Sequence, residues 1–201
     1  MTQLDKLEGK QLVAFHEPPE AEIVVYEGSV RSSKTIVSLL RWAKFLREAP
    51  PGNTLMVGVT IDSLIRNVLS PLVDIFGSKR VTWNRTTGEA QILGRRVFIM
   101  GAHDKGAVKR VQGLTLVGAY VDEVTNAPTE FFSMLRSRLS AVGALLIATC
   151  NPEGPKHWLL VEWLARARWW VQDDGTLITI VTALLGAFML VGAVTLLFGA
   201  V

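Results

Sequence analysis

Short runs of apolar, often β-branched residues alternate along the chain with segments of helical periodicity. The predicted strands are 23–27, 55–60, 114–121 and 144–149, and the predicted helices are 36–47, 62–76, 105–111, 128–139 and 156–170. Apolar strands that alternate with helices predict an α/β fold, with a mostly parallel sheet covered by helices on both faces.

Two details modify this simple alternation. Three short β segments, 80–83, 90–93 and 96–100, are separated by Thr87-Gly88 and Gly94, and they predict a small antiparallel hairpin or meander inserted after the second helix. Pro71 lies inside that second helix. Because proline has no N–H and crowds the preceding turn, we expect the helix to end or kink there.

The last part of the chain has a different composition. The whole chain of 201 residues is 49% hydrophobic with a formal net charge of +3, but no charged residue occurs after Asp174. We therefore predict a domain over residues 1–172 and a hydrophobic tail over 173–201. As one helix, residues 177–201 would be long enough to cross the roughly 30 Å hydrocarbon core of a membrane.

The flanks of the tail suggest how such a helix would be oriented. Arg166 and Arg168 precede the tail, so the domain would lie in the cytoplasm, and Trp169 and Trp170 would lie at the membrane interface. The alternative is an apolar helix buried in the protein or in an oligomer.

Composition excludes several classes of protein. The balance of charged and apolar residues is not that of a disordered, collagen-like or polytopic membrane protein. The single cysteine, Cys150, excludes an intramolecular disulfide. The N-terminus has no apolar core of a signal peptide.

A phosphate-binding loop is predicted between the first strand and the first long helix. Residues 28–35 read Gly-Ser-Val-Arg-Ser-Ser-Lys-Thr, which matches the P-loop pattern except that Ser33 replaces the second glycine. Lys34 would reach the β- and γ-phosphates of a nucleotide, and the hydroxyl of Thr35 would bind Mg²⁺. The loop residues expected to surround phosphate are Gly28, Ser29, Val30, Ser32 and Ser33. If the backbone at Ser33 needs a glycine-like conformation, the loop is strained by about 1 kcal/mol or more.

Two adjacent carboxylates end the third long strand. Asp122 and Glu123 directly follow the apolar run that ends at Val121, as in a Walker B motif. Asp122 would hold Mg²⁺, and Glu123 would orient and deprotonate the attacking water. Together with the P-loop, the pair predicts a site for ATP and Mg²⁺.

A polar segment, Thr149-Cys150-Asn151-Pro152, follows the next strand. Asn151 could contact the γ-phosphate and report hydrolysis as a change in hydrogen bonding. By spacing alone, a plain Asn-Pro turn is the favoured interpretation.

In this order the motifs resemble one family, the N-terminal ATPase domain of the large terminase subunit of tailed bacteriophages. The most specific segments are Arg31-Ser32-Ser33-Lys34-Thr35, the Gly113-Leu114-Thr115 run before Asp122-Glu123, and the Thr149–Pro152 segment. The resemblance covers about residues 8–170.

The resemblance implies further roles. Gln11 would contact adenine, Arg31 would sense or stabilise the γ-phosphate, and residues 149–151 would couple hydrolysis to DNA movement. A guanidinium beside a transferred phosphoryl group is also chemically sensible, because it stabilises transition-state charge. Double-stranded DNA, the phage portal and the small terminase subunit would be the partners, and a homo-oligomer is left open.

The sequence also departs from the family pattern. It supplies no acidic two-metal nuclease site, so no DNA cleavage is expected, and the hydrophobic tail is foreign to the family. A second hypothesis is therefore a non-catalytic remnant or membrane-anchored interaction protein with a degenerate P-loop. A helicase would need a second motor domain, for which no residues remain. Most basic residues are expected on solvated faces rather than on DNA; they cluster at Arg41, Lys44 and Arg47, at Arg95 and Arg96, at Lys105, Lys109 and Arg110, and at Arg136 and Arg138.

Overall fold

One mixed, mostly parallel sheet organises the molecule. The computed structural model describes residues 6–16, 21–28, 33–151, 153–171, 176–179 and 193–198. In these residues ten strands form a sheet of order β3-β4-β5-β2-β6-β7-β1-β10-β8-β9. The strands are β1 Ile23–Gly28, β2 Asn53–Gly58, β3 Val81–Asn84, β4 Glu89–Ile92, β5 Arg95–Gly101, β6 Leu116–Val121, β7 Leu145–Cys150, β8 Trp169–Val171, β9 Leu177–Thr179 and β10 Ala193–Phe198. The predicted α/β class is confirmed.

Helices cover both faces of this sheet. They are α1 Gly9–His16, α2 Lys34–Glu48, α3 Ile61–Leu64, α4 Ser70–Phe76, α5 Ala107–Gln112, α6 Thr129–Arg138 and α7 Trp158–Glu162. Successive residues of β1 face opposite sides and all six are buried, so two cores form. Leu39, Trp42 and Tyr26 lie in the core beneath α1 to α4, whereas Phe131 and Phe132 lie in the core beneath α5 to α7.

The central strands bring three functional segments to one edge. β7 pairs in parallel with both β1 and β6, so it lies between the strand before the phosphate loop and the strand before the acidic pair. Tyr26 of β1 is opposite Thr149, and Val121 of β6 is opposite Ala148. Because the carboxyl ends of parallel strands meet at the same edge, the three polar strand ends are neighbours.

The predicted meander is present at the edge of the sheet. β3 pairs antiparallel with β4, β4 pairs antiparallel with β5, and β5 then runs parallel to β2.

The second predicted helix is interrupted before its proline. Residues Ile65–Leu69 form a π-helix between α3 and α4, and the N–H of Ser70 donates to the carbonyl of Ile65, five residues back. Pro71 explains the widening, because its ring crowds the carbonyl four residues earlier, at Asn67. Residues 61–76 are therefore one helical segment with a distortion in the middle.

The helix predicted over 156–170 is largely wrong. Only Trp158–Glu162 is α-helical; Leu164–Arg166 is a 3₁₀ turn, and Trp169 starts β8. Trp169 is buried in the sheet rather than available to a membrane interface. Tertiary burial of this tryptophan-rich segment overrides its apparent helical periodicity.

A single helix over 177–201 is also wrong for the residues that the structure describes in this range. Residues 177–179 form β9, and residues 193–198 form β10, which is inserted between β1 and β8. β1 is buried on both faces, so the backbone groups on both of its edges need hydrogen-bond partners. One edge of β1 pairs with β7 and the other pairs with β10. Within the described part of the chain, no helix has the length and apolar character needed to span a membrane.

Candidate nucleotide-binding site

The phosphate loop joins the end of β1 to the start of α2. Lys34 is the first residue of α2, and its Nζ donates to the carbonyl of Gly28 and to Oδ1 of Asn151, both at 2.9 Å. Thr35 follows on the same turn and is half-buried. The predicted loop residues Ser29, Val30, Arg31 and Ser32 lie outside the described residues.

Ser33 has a left-handed backbone conformation, with φ 61° and ψ 3°. It is the N-cap of α2, but its side chain makes no capping hydrogen bond. A residue with a Cβ in this conformation costs about 1–2 kcal/mol relative to glycine. The strain expected at the replaced glycine is therefore located at Ser33.

Asp122 lies at the end of β6 and is 6% exposed. Its Oδ1 accepts a hydrogen bond of 2.8 Å from the hydroxyl of Thr149 on β7, and the same hydroxyl accepts one of 3.1 Å from the N–H of Glu123. One hydroxyl thus fixes both residues of the acidic pair across neighbouring strands.

Glu123 is also held in a left-handed conformation, with φ 50° and ψ 53°. It is half-buried at the start of a 3₁₀ turn, Val124–Asn126, and its Oε2 accepts from the amide of Asn126 at 3.5 Å. Strained residues of this kind persist where the surrounding structure determines them, often at functional sites.

The electrostatics of the site follow from burial. Burial raises the pKa of Asp122, with the hydrogen bond from Thr149 opposing the rise, and lowers the pKa of Lys34. The neighbouring Cys150 is buried, and its pKa rises to about 12, so the thiol is not a ready nucleophile. A bound cation would favour the charged form of Asp122, and a bound phosphate would favour the charged form of Lys34, because each is opposite in charge to the side chain.

The side chains present fit Mg²⁺ bound with a nucleotide. Within the described part of the chain, no group of three His, Cys, Asp or Glu side chains forms a metal cluster. Mg²⁺ in phosphate-transfer sites commonly uses one or two protein oxygens, with waters and phosphate oxygens completing the shell. The buried carboxylate of Asp122 and the hydroxyl of Thr35 are ligands of that type.

Two contacts that sequence reasoning missed support these residues. The hydroxyls of Ser38 on α2 and Tyr120 on β6 are 2.9 Å apart and tie the helix to the Walker B strand. Asn67, in the π-helix, donates from Nδ2 to Oδ2 of Asp122 at 3.4 Å. No motif marks either pair, because the partners are far apart in the sequence.

Gln11 lies on α1, which packs against α2. The carbonyl of Ala14 anchors this helix, accepting from the hydroxyl of Tyr26 at 2.7 Å and from Nη1 of Arg41 at 3.0 Å. The predicted adenine contact of Gln11 stays a prediction.

Two of the basic residues predicted on solvated faces have structural roles instead. Arg41 is 6% exposed and holds α1. Arg95 donates to the carbonyls of Leu46, Ala49 and Pro50 at the C-terminal end of α2, where a cation also complements the helix dipole.

A groove of about 940 Å³ lies elsewhere, between α2, α4 and the β3–β4 hairpin, and none of the predicted nucleotide-site residues lines it.

Comparison with known proteins identifies the fold. No protein-family model matches the sequence, and the search of curated proteins gives no match. Among solved structures, the large terminase of a thermophilic bacteriophage matches with a TM-score of 0.72 and 28% identity over 94% of this chain. The chain has the fold of a phage large-terminase ATPase domain. It spans 45% of the length of that terminase.

Further terminase structures agree with this result. The same phage terminase in complex with ATP-gamma-S matches with a TM-score of 0.69 and 28% identity, covering 94% of this chain and 44% of the terminase chain. The ATPase domain of the Thermus phage P74-26 large terminase matches with a TM-score of 0.63 and 17% identity, covering 96% of this chain and 81% of that domain. At 17% identity, the similarity to the Thermus phage domain concerns the fold alone. The resemblance stated from the motifs is confirmed.

Proposed function

We propose that this chain is the ATP-binding and ATP-hydrolysing motor domain of a phage DNA-packaging terminase large subunit. The observation that carries the proposal is the convergence of Lys34, Asp122, Glu123 and Asn151 at the carboxyl edge of β1, β6 and β7. The terminase solved with ATP-gamma-S and with ADP has the same fold, which supports a nucleotide as the ligand.

Each residue has a role that follows from its position. Lys34 and the first N–H groups of α2 bind the β- and γ-phosphates, since a helix N-terminus and an ammonium both favour anions. Arg31 contributes a further positive charge toward the γ-phosphate. Gln11 contacts the adenine.

Asp122 and Glu123 have different roles in this proposal. Asp122 and Thr35 hold Mg²⁺, which when bound neutralises charge on the phosphates. Glu123 orients the attacking water and accepts its proton. Asn151, which bonds to Lys34, exchanges that bond for one to the γ-phosphate and so senses hydrolysis.

The remaining assignments depend on the terminase role as a whole. Double-stranded DNA, the portal and the small terminase subunit are the partners in this proposal, the motor works as a homo-oligomer, and the compartment is the cytoplasm of the bacterial host. The nuclease reaction is assigned to residues other than those of this chain.

A second candidate is a non-catalytic interaction protein that retains the fold. The observation that favours it is the left-handed conformation of Ser33, because strain inside a phosphate loop weakens the bound state. A membrane-anchored form of this candidate would need a spanning segment outside the described residues.

Nucleotide binding and turnover by the full chain separate the two candidates. By calorimetry, we expect the wild-type chain to bind ATP in the presence of Mg²⁺. We expect the affinity for ATP to fall more than tenfold in Lys34→Ala. In Glu123→Gln we expect the ATPase kcat to fall by about 10²-fold or more with the Kd nearly unchanged, because a general base acts mainly on the chemical step.

The matched control is Glu130→Gln, which neutralises an exposed carboxylate at the start of α6. It should leave both constants unchanged. Failure of the wild-type chain to bind ATP at millimolar concentration would reject the motor and leave the interaction protein.

A further inference from the structure

Asn67 lies outside the predicted motifs, but its side chain donates a hydrogen bond to Asp122. Its Nδ2 lies 3.4 Å from Oδ2 of Asp122, 55 residues away. Thr149 binds the other oxygen, Oδ1, at 2.8 Å. The two oxygens of the buried carboxylate are thus held by different elements, Oδ1 by the strand β7 and Oδ2 by the π-helix.

The distorted helix explains why Asn67 is at this place. The π-helix Ile65–Leu69 inserts one extra residue into the turn before Pro71, and each additional residue rotates the following side chains by about 100°. The carbonyl of Ile65 is satisfied twice, by the N–H and by the hydroxyl of Ser70. The distortion is therefore stabilised by its own hydrogen bonds, and π-helices of this kind are frequent at functional sites.

The orientation of the Asn67 amide is also defined. Its Oδ1 accepts from Nε of Arg66 at 3.3 Å, so its Nδ2 is the group left to face the carboxylate. A half-buried amide that donates to a buried carboxylate stabilises one orientation of the carboxylate plane.

We propose that Asn67 is a positioning residue of the metal site, which sets the orientation of Asp122 toward Mg²⁺. The inference rests on the proposed function, since Asp122 is the metal ligand in that proposal. Asn67 acts through Asp122 and takes no part in proton transfer. Metal binding at Asp122 would then also act on the segment 61–76, because Asn67 donates to the same carboxylate.

The first test measures how much Mg²⁺ strengthens nucleotide binding. The Kd of ATP-γ-S for the full chain is measured by calorimetry with Mg²⁺ and with EDTA. In Asn67→Leu, which keeps the side-chain volume and removes the amide, the Mg²⁺-dependent gain should fall at least fivefold while the Kd in EDTA stays within twofold. A purely structural role would change both constants together.

Ser70→Ala is the matched control for this experiment. It removes a hydrogen bond of the same π-helix, from Ser70 Oγ to Ile65, without touching Asp122. Because the N–H of Ser70 still donates to the carbonyl of Ile65, the π-helix should persist and the Mg²⁺ gain should be unchanged. The proposal would be overturned if Asn67→Leu kept the Mg²⁺-dependent gain in ATP-γ-S affinity. It would also be overturned if Ser70→Ala lost as much of this gain as Asn67→Leu.

A second measurement needs no nucleotide and therefore separates this inference from the proposed function. Asn67→Asp places a second carboxylate against Asp122, and like charges at this distance repel unless a cation lies between them. Its Tm in EDTA should be at least about 3 °C below that of Asn67→Leu, and Mg²⁺ at millimolar concentration should restore it. An Asn67→Asp protein as stable as Asn67→Leu and indifferent to Mg²⁺ would exclude the juxtaposition, even if no nucleotide bound.

Discussion

Two residues of the candidate site, Ser33 and Glu123, have left-handed backbone conformations. Both lie where a strand or loop gives way to a helical turn, beside Lys34 and Asp122 respectively. At Glu123 the conformation is supported by the hydrogen bond from its N–H to Thr149, so the cost is offset by a contact that also positions the site. At Ser33 the side chain adds no capping hydrogen bond, and glycine would be the less strained residue.

Substitution of Ser33 measures this strain directly. Ser33→Gly should be more stable than Ser33→Ala by about 1 kcal/mol, because only glycine adopts a positive φ without steric cost. Urea denaturation of the full chain without nucleotide gives the free energy of unfolding. Ser33→Ala is the control for the lost hydroxyl and should resemble the wild type. Equal stability of the Gly and Ala variants would mean that Ser33 is not strained.

Residue identity alone predicted part of the candidate site. Lys34, Thr35, Asp122 and Glu123 belong to short motifs whose spacing reflects local geometry, a loop before a helix and a strand end. Asn67 could not be found in this way. Its position depends on the π-helix before Pro71 and on the packing of the adjoining helix α3 against β2 and β5, neither of which leaves a motif.

At the level of elements, the site depends on the pairing of β6 with β7. Thr149 is buried on β7, and its hydroxyl bridges Asp122 and Glu123 on β6. A β7 displaced by one residue would turn Thr149 to the opposite face of the sheet. The strand register is therefore as important to the acidic pair as the carboxylates themselves.

Thr149→Val should show this dependence. Valine has nearly the same shape but leaves the Oδ1 of Asp122 and the N–H of Glu123 without this partner, so we expect a loss of about 1–3 kcal/mol in the free energy of unfolding. Thr149→Ser, which keeps the hydroxyl, is the control and should lose clearly less. The comparison is made by urea denaturation; a valine variant as stable as the serine variant would argue against the bridge.

For the molecule as a whole, β10 changes the interpretation of the tail. Its residues run parallel to β1 in a register that places Thr195 beside Val25, and on the other side β10 pairs with β8. The strand that precedes the phosphate loop is therefore central in the sheet. The same apolar composition that suits a membrane helix also suits a strand covered on both faces.

A proline in β10 tests this arrangement. Thr195→Pro removes a ladder N–H from an internal strand and should destabilise the full chain by about 3 kcal/mol or more. Thr195→Ala retains the N–H and is the matched control, with a much smaller loss. Urea denaturation measures both variants. If the proline and alanine variants were equally stable, β10 would not be part of the folded sheet.

The sequence by itself determined the α/β class, the central strands, the meander and the order of the motifs, because these depend on periodicity and on short-range geometry. Only the tertiary structure decided that residues 193–198 form a strand, that Trp169 is buried in β8, and that Arg41 is a buried anchor of α1. An apolar run can have the same composition in a membrane helix, a buried helix and an inner strand. Residues 193–198 form a strand because they pair with the backbone edge of β1 that β7 does not cover. Likewise, Asn67 and Thr149 contact the carboxylate of Asp122 only because distant segments pack around it.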